Sequence, residues 1–147
     1  MDLSQKSEPV IHAAARWFWW IAGLSLINTV LYYSGSTASF VFGLAMTSLV
    51  GEIFSYQPVI GGAITLLVIG FYVAIGKLAH AGKAWAFYLG LAVYVIDALL
   101  YAGEGIWLAV AVHVYAAFFI GRGILRLREV LAAPSAAPEP AAPEASQ

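Results

Sequence analysis

Four apolar runs, at about residues 17–33, 59–78, 84–101 and 106–125, constrain this chain more than any other feature. Each is close to the ~20 residues that a helix needs to cross about 30 Å of hydrocarbon at about 1.5 Å per residue. Together they leave no room in 147 residues for a separate soluble domain. Composition agrees: 62% of residues are hydrophobic, 10% are charged and the mean hydropathy is +0.84, too little charge to cover a water-soluble surface. The expected fold is an all-α membrane protein, four transmembrane helices in a bundle plus one shorter segment of ambiguous placement. The complete absence of cysteine removes disulfides, thiolate metal sites and thiol redox chemistry. A net charge of −1 carries no nucleic-acid signature, so the lipid bilayer is the first partner to expect.

The first run opens on Arg16 followed by Trp17, Phe18, Trp19 and Trp20, a cation and aromatic cluster suited to the headgroup level. Residues 1–12 ahead of it are polar and are expected to be a frayed tail. A cleaved signal peptide fits this run less well, because the run exceeds the usual apolar core of such peptides and is loaded with tryptophan. The second run starts just after Pro58, a residue tolerated in a first helical turn. The third and fourth are joined by Ala102-Gly103-Glu104-Gly105, short enough for an antiparallel hairpin. The membrane domain therefore covers about residues 13–131. Residues 132–147, rich in Ala, Pro, Glu and Ser, are expected to be a disordered cytoplasmic tail.

Residues 36–56 are too short and too interrupted by Gly43, Thr47, Ser48, Gly51 and Glu52 for length alone to place them. The cations discriminate. If this segment does not span, Lys6, Arg16, Lys77, Lys83, Arg122, Arg126 and Arg128 all lie on one side; if it spans, they are divided. The positive-inside rule favours the undivided arrangement. It predicts a bacterial inner-membrane protein with both termini cytoplasmic and residues 36–56 dipping into, or lying on, the outer face. Arg16, Lys77, Lys83, Arg122, Arg126 and Arg128 are then lipid-headgroup contacts.

Ionisable groups within hydrocarbon are costly and usually face protein or water, so they are the places to seek function. Asn28, Asp97 and His113 fall at similar depths, about 7–11 Å from the outer helix ends. Tyr94, Asp97 and Tyr101, at i, i+3 and i+7, share one helix face. Ser25, Asn28 and Tyr32 form another polar stripe. Gly105, Ala109, His113, Ala117 and Gly121 recur every four residues, as do Ser39, Gly43, Thr47, Gly51 and Ser55; small residues at that spacing allow close helix approach. In one reading Asn28, Asp97 and His113, with Glu52, line an outward-opening cavity for a proton relay or a divalent metal. In the other, Asp97 and His113 hydrogen-bond across a helix interface and fix the packing, which the absence of ligand-spaced histidines favours. His12 and His80 are read as solvated.

The stretches Trp-Phe-Trp-Trp-Ile-Ala-Gly-Leu-Ser-Leu-Ile-Asn (17–28), Phe-Gly-Leu-Ala-Met-Thr (42–47), Tyr-Val-Ile-Asp-Ala-Leu-Leu (94–100) and the span from His113 to Gly123 resemble a group of small uncharacterised bacterial four-helix integral membrane proteins. The resemblance covers about residues 13–128 and implies a fold but no activity. No Gly-x-Ser-x-Gly, phosphate loop, paired intramembrane aspartates or cofactor motif is present, and Ser34-Gly35-Ser36 lacks the surroundings of a serine nucleophile. The expected function is a non-enzymatic accessory or interaction subunit, working as a homo-oligomer or with a partner membrane subunit. The alternatives are an oligomeric small-solute, ion or proton-linked transporter using the Asp97 and His113 site, and, behind it, a metal-assisted or lipid-modifying enzyme.

Overall fold

The computed structural model describes residues 3–36 and 43–133. They form five helices: α1 (Leu3–Tyr33), α2 (Ala45–Ile53), α3 (Pro58–His80), α4 (Ala84–Gly103) and α5 (Trp107–Ala132). No strand occurs among the described residues. Four helices are long and apolar enough to cross a membrane, the signature of a polytopic membrane protein. α2 is not one of them: nine residues make a helix about 13 Å long, under half the hydrocarbon thickness.

α1 packs on α3 and α5, and α4 packs on α5 and α3. Where these helices cross, small residues remove side-chain bulk. A Cβ at Gly123 would collide with Ala14, one at Gly76 with the Trp19 ring, and one at Gly90 would come within 2.6 Å of both Phe18 and Ile75. Phe18 and Phe87, both fully buried, fill the space between the backbones, their ring centroids 6.0 Å apart. The tight links are set by backbone geometry. Gly82 and Gly105 adopt φ of 75° and 73°, and the residue after each donates back to the carbonyl five positions earlier (Lys83 to Leu78, Ile106 to Tyr101). That pattern closes a helix with a left-handed residue, which glycine accepts without steric cost.

Three expectations change. Residues 3–12, expected as a frayed tail, belong to α1. The reason is that the apolar face does not start at the tryptophans: Ile11, Ala14, Ala15 and Phe18, at i, i+3, i+4 and i+7, are all buried. Second, the four-residue stripe on α5 is not its packed face. The buried residues are Ala109, His113, Ala116, Ile120, Gly123, Ile124 and Leu127, while Ala117 and Gly121 are half-buried and Gly105 lies in the turn. A period of four drifts about 40° per step around a helix of 3.6 residues per turn, so it leaves the interface within two repeats. Third, among the described residues of segment 36–56, α2 is the one helix or strand. Ser39 and the rest of 37–42 fall outside the described residues, as do residues 134–147 of the C-terminal tail.

α2 enters the protein end-on. Leu44, Ala45 and Thr47 at its start are buried, whereas Ile53 and the following Tyr56 are exposed.

Candidate functional site

The start of α2 meets α1, α4 and α5 at one polar knot. An α-helix leaves its first N–H groups without intrahelical partners, and a local Ser, Thr, Asp or Asn normally caps them. Here the cap position is Leu44, which has no side chain for the task. Asp97 of α4 supplies it from 52 residues away: Ala45 N–H donates to Oδ2 at 2.9 Å and Met46 N–H to Oδ1 at 2.8 Å. Leu44 N–H donates to the Ser25 hydroxyl of α1 at 3.0 Å, and the Tyr101 hydroxyl of α4 donates to the Gly43 carbonyl at 3.1 Å. The carboxyl oxygens also lie at the positive end of the α2 dipole, where electron-rich acceptors are favoured.

His113 of α5 completes the knot. Its Nε2 is 3.0 Å from Asp97 Oδ2 and its Nδ1 is 2.8 Å from the Ala109 carbonyl. A carbonyl only accepts, so Nδ1 carries a proton. The contact between Nε2 and Oδ2 then needs one more proton, and the pair is neutral as a unit whichever of the two atoms holds it. Tyr94 stacks on the imidazole at 4.3 Å with the planes 19° apart, and Tyr101 meets it edge-on at 5.2 Å. Asp97 and His113 each lie six positions inside their helices from the turn at Gly105, at about 9 Å depth, and are 0% and 1% exposed.

Of the residues singled out in the sequence, Tyr94, Asp97, Tyr101 and His113 are therefore brought together. They do not line an open cavity, because the carboxyl and the imidazole are sealed by their own partners. Asn28 sits on the other side of the incoming chain, its amide against Gly43, too close for a side chain there. Glu52 does not join the knot; it is exposed on the outgoing half of α2. Among the described residues no group of three or more His, Cys, Asp or Glu side chains is arranged to hold a metal.

The opposite end of the molecule carries the cations. Arg16, Lys77, Lys83, Arg122, Arg126 and Arg128 are all exposed, Arg122 lies 5.9 Å above the Phe118 ring, and Arg126 pairs with Glu129 at 2.6 Å. His12 and His80 are not simply solvated as expected: their rings stack at 4.0 Å, with Trp19 5.5 Å from His80. That contact depends on the N-terminal extension of α1, which hydropathy alone did not reveal.

Beside the knot, a crevice between α1, α2 and α3 is lined by hydroxyl side chains that include Thr29, Tyr32, Tyr33, Thr47, Ser48 and Thr65. Thr65 was missed in the sequence because an isolated threonine within an apolar helix ordinarily bonds to its own backbone.

No protein-family profile matches the chain, and no curated protein or solved structure gives a significant match. The resemblance to small bacterial four-helix membrane proteins thus rests on the quoted stretches alone.

If Asp97 holds α2 in place, removing it should free that helix while leaving the long helices folded. In a Thr47→Cys background, where position 47 is 6% exposed in the native chain, Asp97→Ala is expected to raise the thiol-labelling rate at residue 47 roughly 100-fold, equivalent to about 3 kcal/mol. An unchanged rate, with circular dichroism still helical, contradicts the assignment.

Proposed function

We propose that this chain is a non-enzymatic subunit of a bacterial inner membrane that holds α2 and its flanking turns as a fixed platform for a partner membrane subunit. The observation that carries this reading is the use to which the intramembrane carboxyl and imidazole are put. They are the most costly side chains in the chain to bury, and both bond to the start of α2 or to each other with no exposure. Groups occupied in this way position a segment; they are not presented to a substrate.

What α2 presents is apolar and aromatic. Ile53, Tyr56 and Val59 are exposed where α2 turns into α3, at the end of the molecule that carries Glu52 and Glu104 and no described cation. Exposed large side chains at a membrane rim suit contact with another membrane protein. The same asymmetry supports the orientation: with four spans and a non-spanning α2, the basic helix ends and both termini face the cytoplasm, and α2 is a re-entrant helix of the outer face.

Two measurements test the reading. Impermeant thiol reagents applied to intact cells should label a single cysteine replacing Glu52 and spare one replacing His80; labelling of position 80 contradicts the orientation. A photo-crosslinking residue at Tyr56 should give a discrete protein adduct in native membranes, while one at Leu67, exposed midway along α3, should give none. Absence of a protein adduct from Tyr56 and Ile53 alike contradicts the platform.

A further inference from the structure

Away from the knot and the platform, a groove runs along the seam between α1 and α3. Its α1 wall includes Trp19, Gly23 and Leu26, at i, i+4 and i+7, so one strip of that helix surface lines it. Its α3 wall is Ile69, Val73 and Lys77, spaced by four. Gly23 is what leaves the seam open: it is exposed, and a Cβ there would meet nothing within 4 Å.

Charge sets this groove apart. A second groove, between α2, α3 and α4, is lined by apolar side chains alone, whereas the α1–α3 groove ends at a cation. Lys77 is exposed there, and neither ion pair among the described residues uses it. The Trp19 Nε1–H donates to the Val73 carbonyl at 3.4 Å, so among the described lining residues Lys77 alone keeps a side-chain donor to offer. Arg16, also exposed, precedes Trp19 by three residues and Gly23 by seven, which puts a second cation on the same face of α1.

Depth identifies the occupant. Lys77 lies three residues from the end of α3, and Ile69 is the midpoint of that helix. The eight residues between them rise about 12 Å, against about 15 Å for half of the hydrocarbon core. The groove therefore starts at a headgroup-level cation and stops near the midplane. A partner helix would need a groove through both leaflets, and a soluble anion would have no use for an apolar slot below the cation.

We infer that this groove binds one phospholipid with an anionic headgroup, taken from the leaflet at the cationic end of the molecule. Lys77, with Arg16 on the facing helix, meets the headgroup, and one acyl chain lies along Gly23 toward Ile69. A cationic rim alone makes passing contacts with any anionic lipid; a cation joined to a leaflet-deep slot retains a single molecule. The bound lipid covers the seam that Gly23 leaves unpacked. This site depends on neither the platform nor the orientation of the chain.

The test is native mass spectrometry of the full chain in detergent, titrated with dioleoyl phosphatidylglycerol or dioleoyl phosphatidylcholine, which share acyl chains and differ in charge. The native protein should take up its first phosphatidylglycerol with an apparent Kd at least about 5-fold below that for phosphatidylcholine. Lys77→Gln should bring the two lipids within about 2-fold of each other. Gly23→Leu, which adds bulk where the groove is open, should weaken phosphatidylglycerol binding about 10-fold. Gly70→Leu, also exposed but outside the groove, should leave it unchanged. Equal affinities for the two lipids in the native chain overturn the inference, as does a preference that survives Lys77→Gln or a constant that is the same in Gly23→Leu and Gly70→Leu. In native membranes a photo-crosslinking residue at Leu26 should yield lipid adducts; a discrete protein adduct there means that a partner helix fills the groove and overturns the inference as well.

Discussion

The Asp97 carboxyl is the constraint on which the arrangement of this protein depends. A short helix that starts inside a membrane protein brings bare N–H groups to a place where water cannot satisfy them, and each one left unpaired costs several kcal/mol. Asp97 accepts two of these protons directly, Ser25 takes the one before them, and Tyr101 satisfies the carbonyl preceding α2. The carboxyl in turn would be costly alone in hydrocarbon. His113 removes that cost by making the pair neutral, and the Ala109 carbonyl fixes the ring so that Nε2 points at Oδ2. Three long helices contribute side chains to a junction that none could build alone, and the position of α2 follows from theirs.

Close approach of those helices is what makes the junction possible. In hydrocarbon there is little hydrophobic drive between apolar helices, so association depends on fit and on buried polar contacts. Gly123 against Ala14 brings α5 onto α1, and Gly90 beneath Phe18 and Ile75 brings α4 onto α1 and α3. The stacked Tyr94 and His113 rings then fill the space between α4 and α5 at the level of the carboxyl. Further along the core Tyr72 meets Tyr94 edge-on at 6.5 Å, and its buried hydroxyl has no partner among the described residues. The result is a polar, α2-bearing end with acidic residues and a cationic end opposite, a polarity that the positive-inside rule translates into an orientation.

Much of this was legible in the sequence. The four long helices follow from run length, and the depth match of Asp97 and His113 follows from counting residues from the Ala102–Gly105 turn. The face shared by Tyr94, Asp97 and Tyr101 follows from helical spacing, and all three are buried. What Asp97 bonds to was not legible, because its main partners are backbone N–H groups, which have no residue signature. The start of α2 was hidden for the same reason: a helix capped from another element can begin at a leucine. Glu52 was drawn toward the knot by its charge, but α2 turns outward before reaching that residue. The start of α1 was placed too late because alanines at positions 14 and 15 bury well while adding little to hydropathy.

Amide hydrogen exchange across residues 44–53 reads the central interaction most directly, because the protons concerned are those bonded to Asp97. The account predicts that Ala45 and Met46 in the native chain exchange as slowly as the middle of α4. Asp97→Asn, which keeps the size but turns an amide nitrogen toward donors, should accelerate exchange at the start of α2 by about 100-fold and leave α4 and α5 protected. Protection at Ala45 and Met46 that is the same with and without the carboxyl would contradict it.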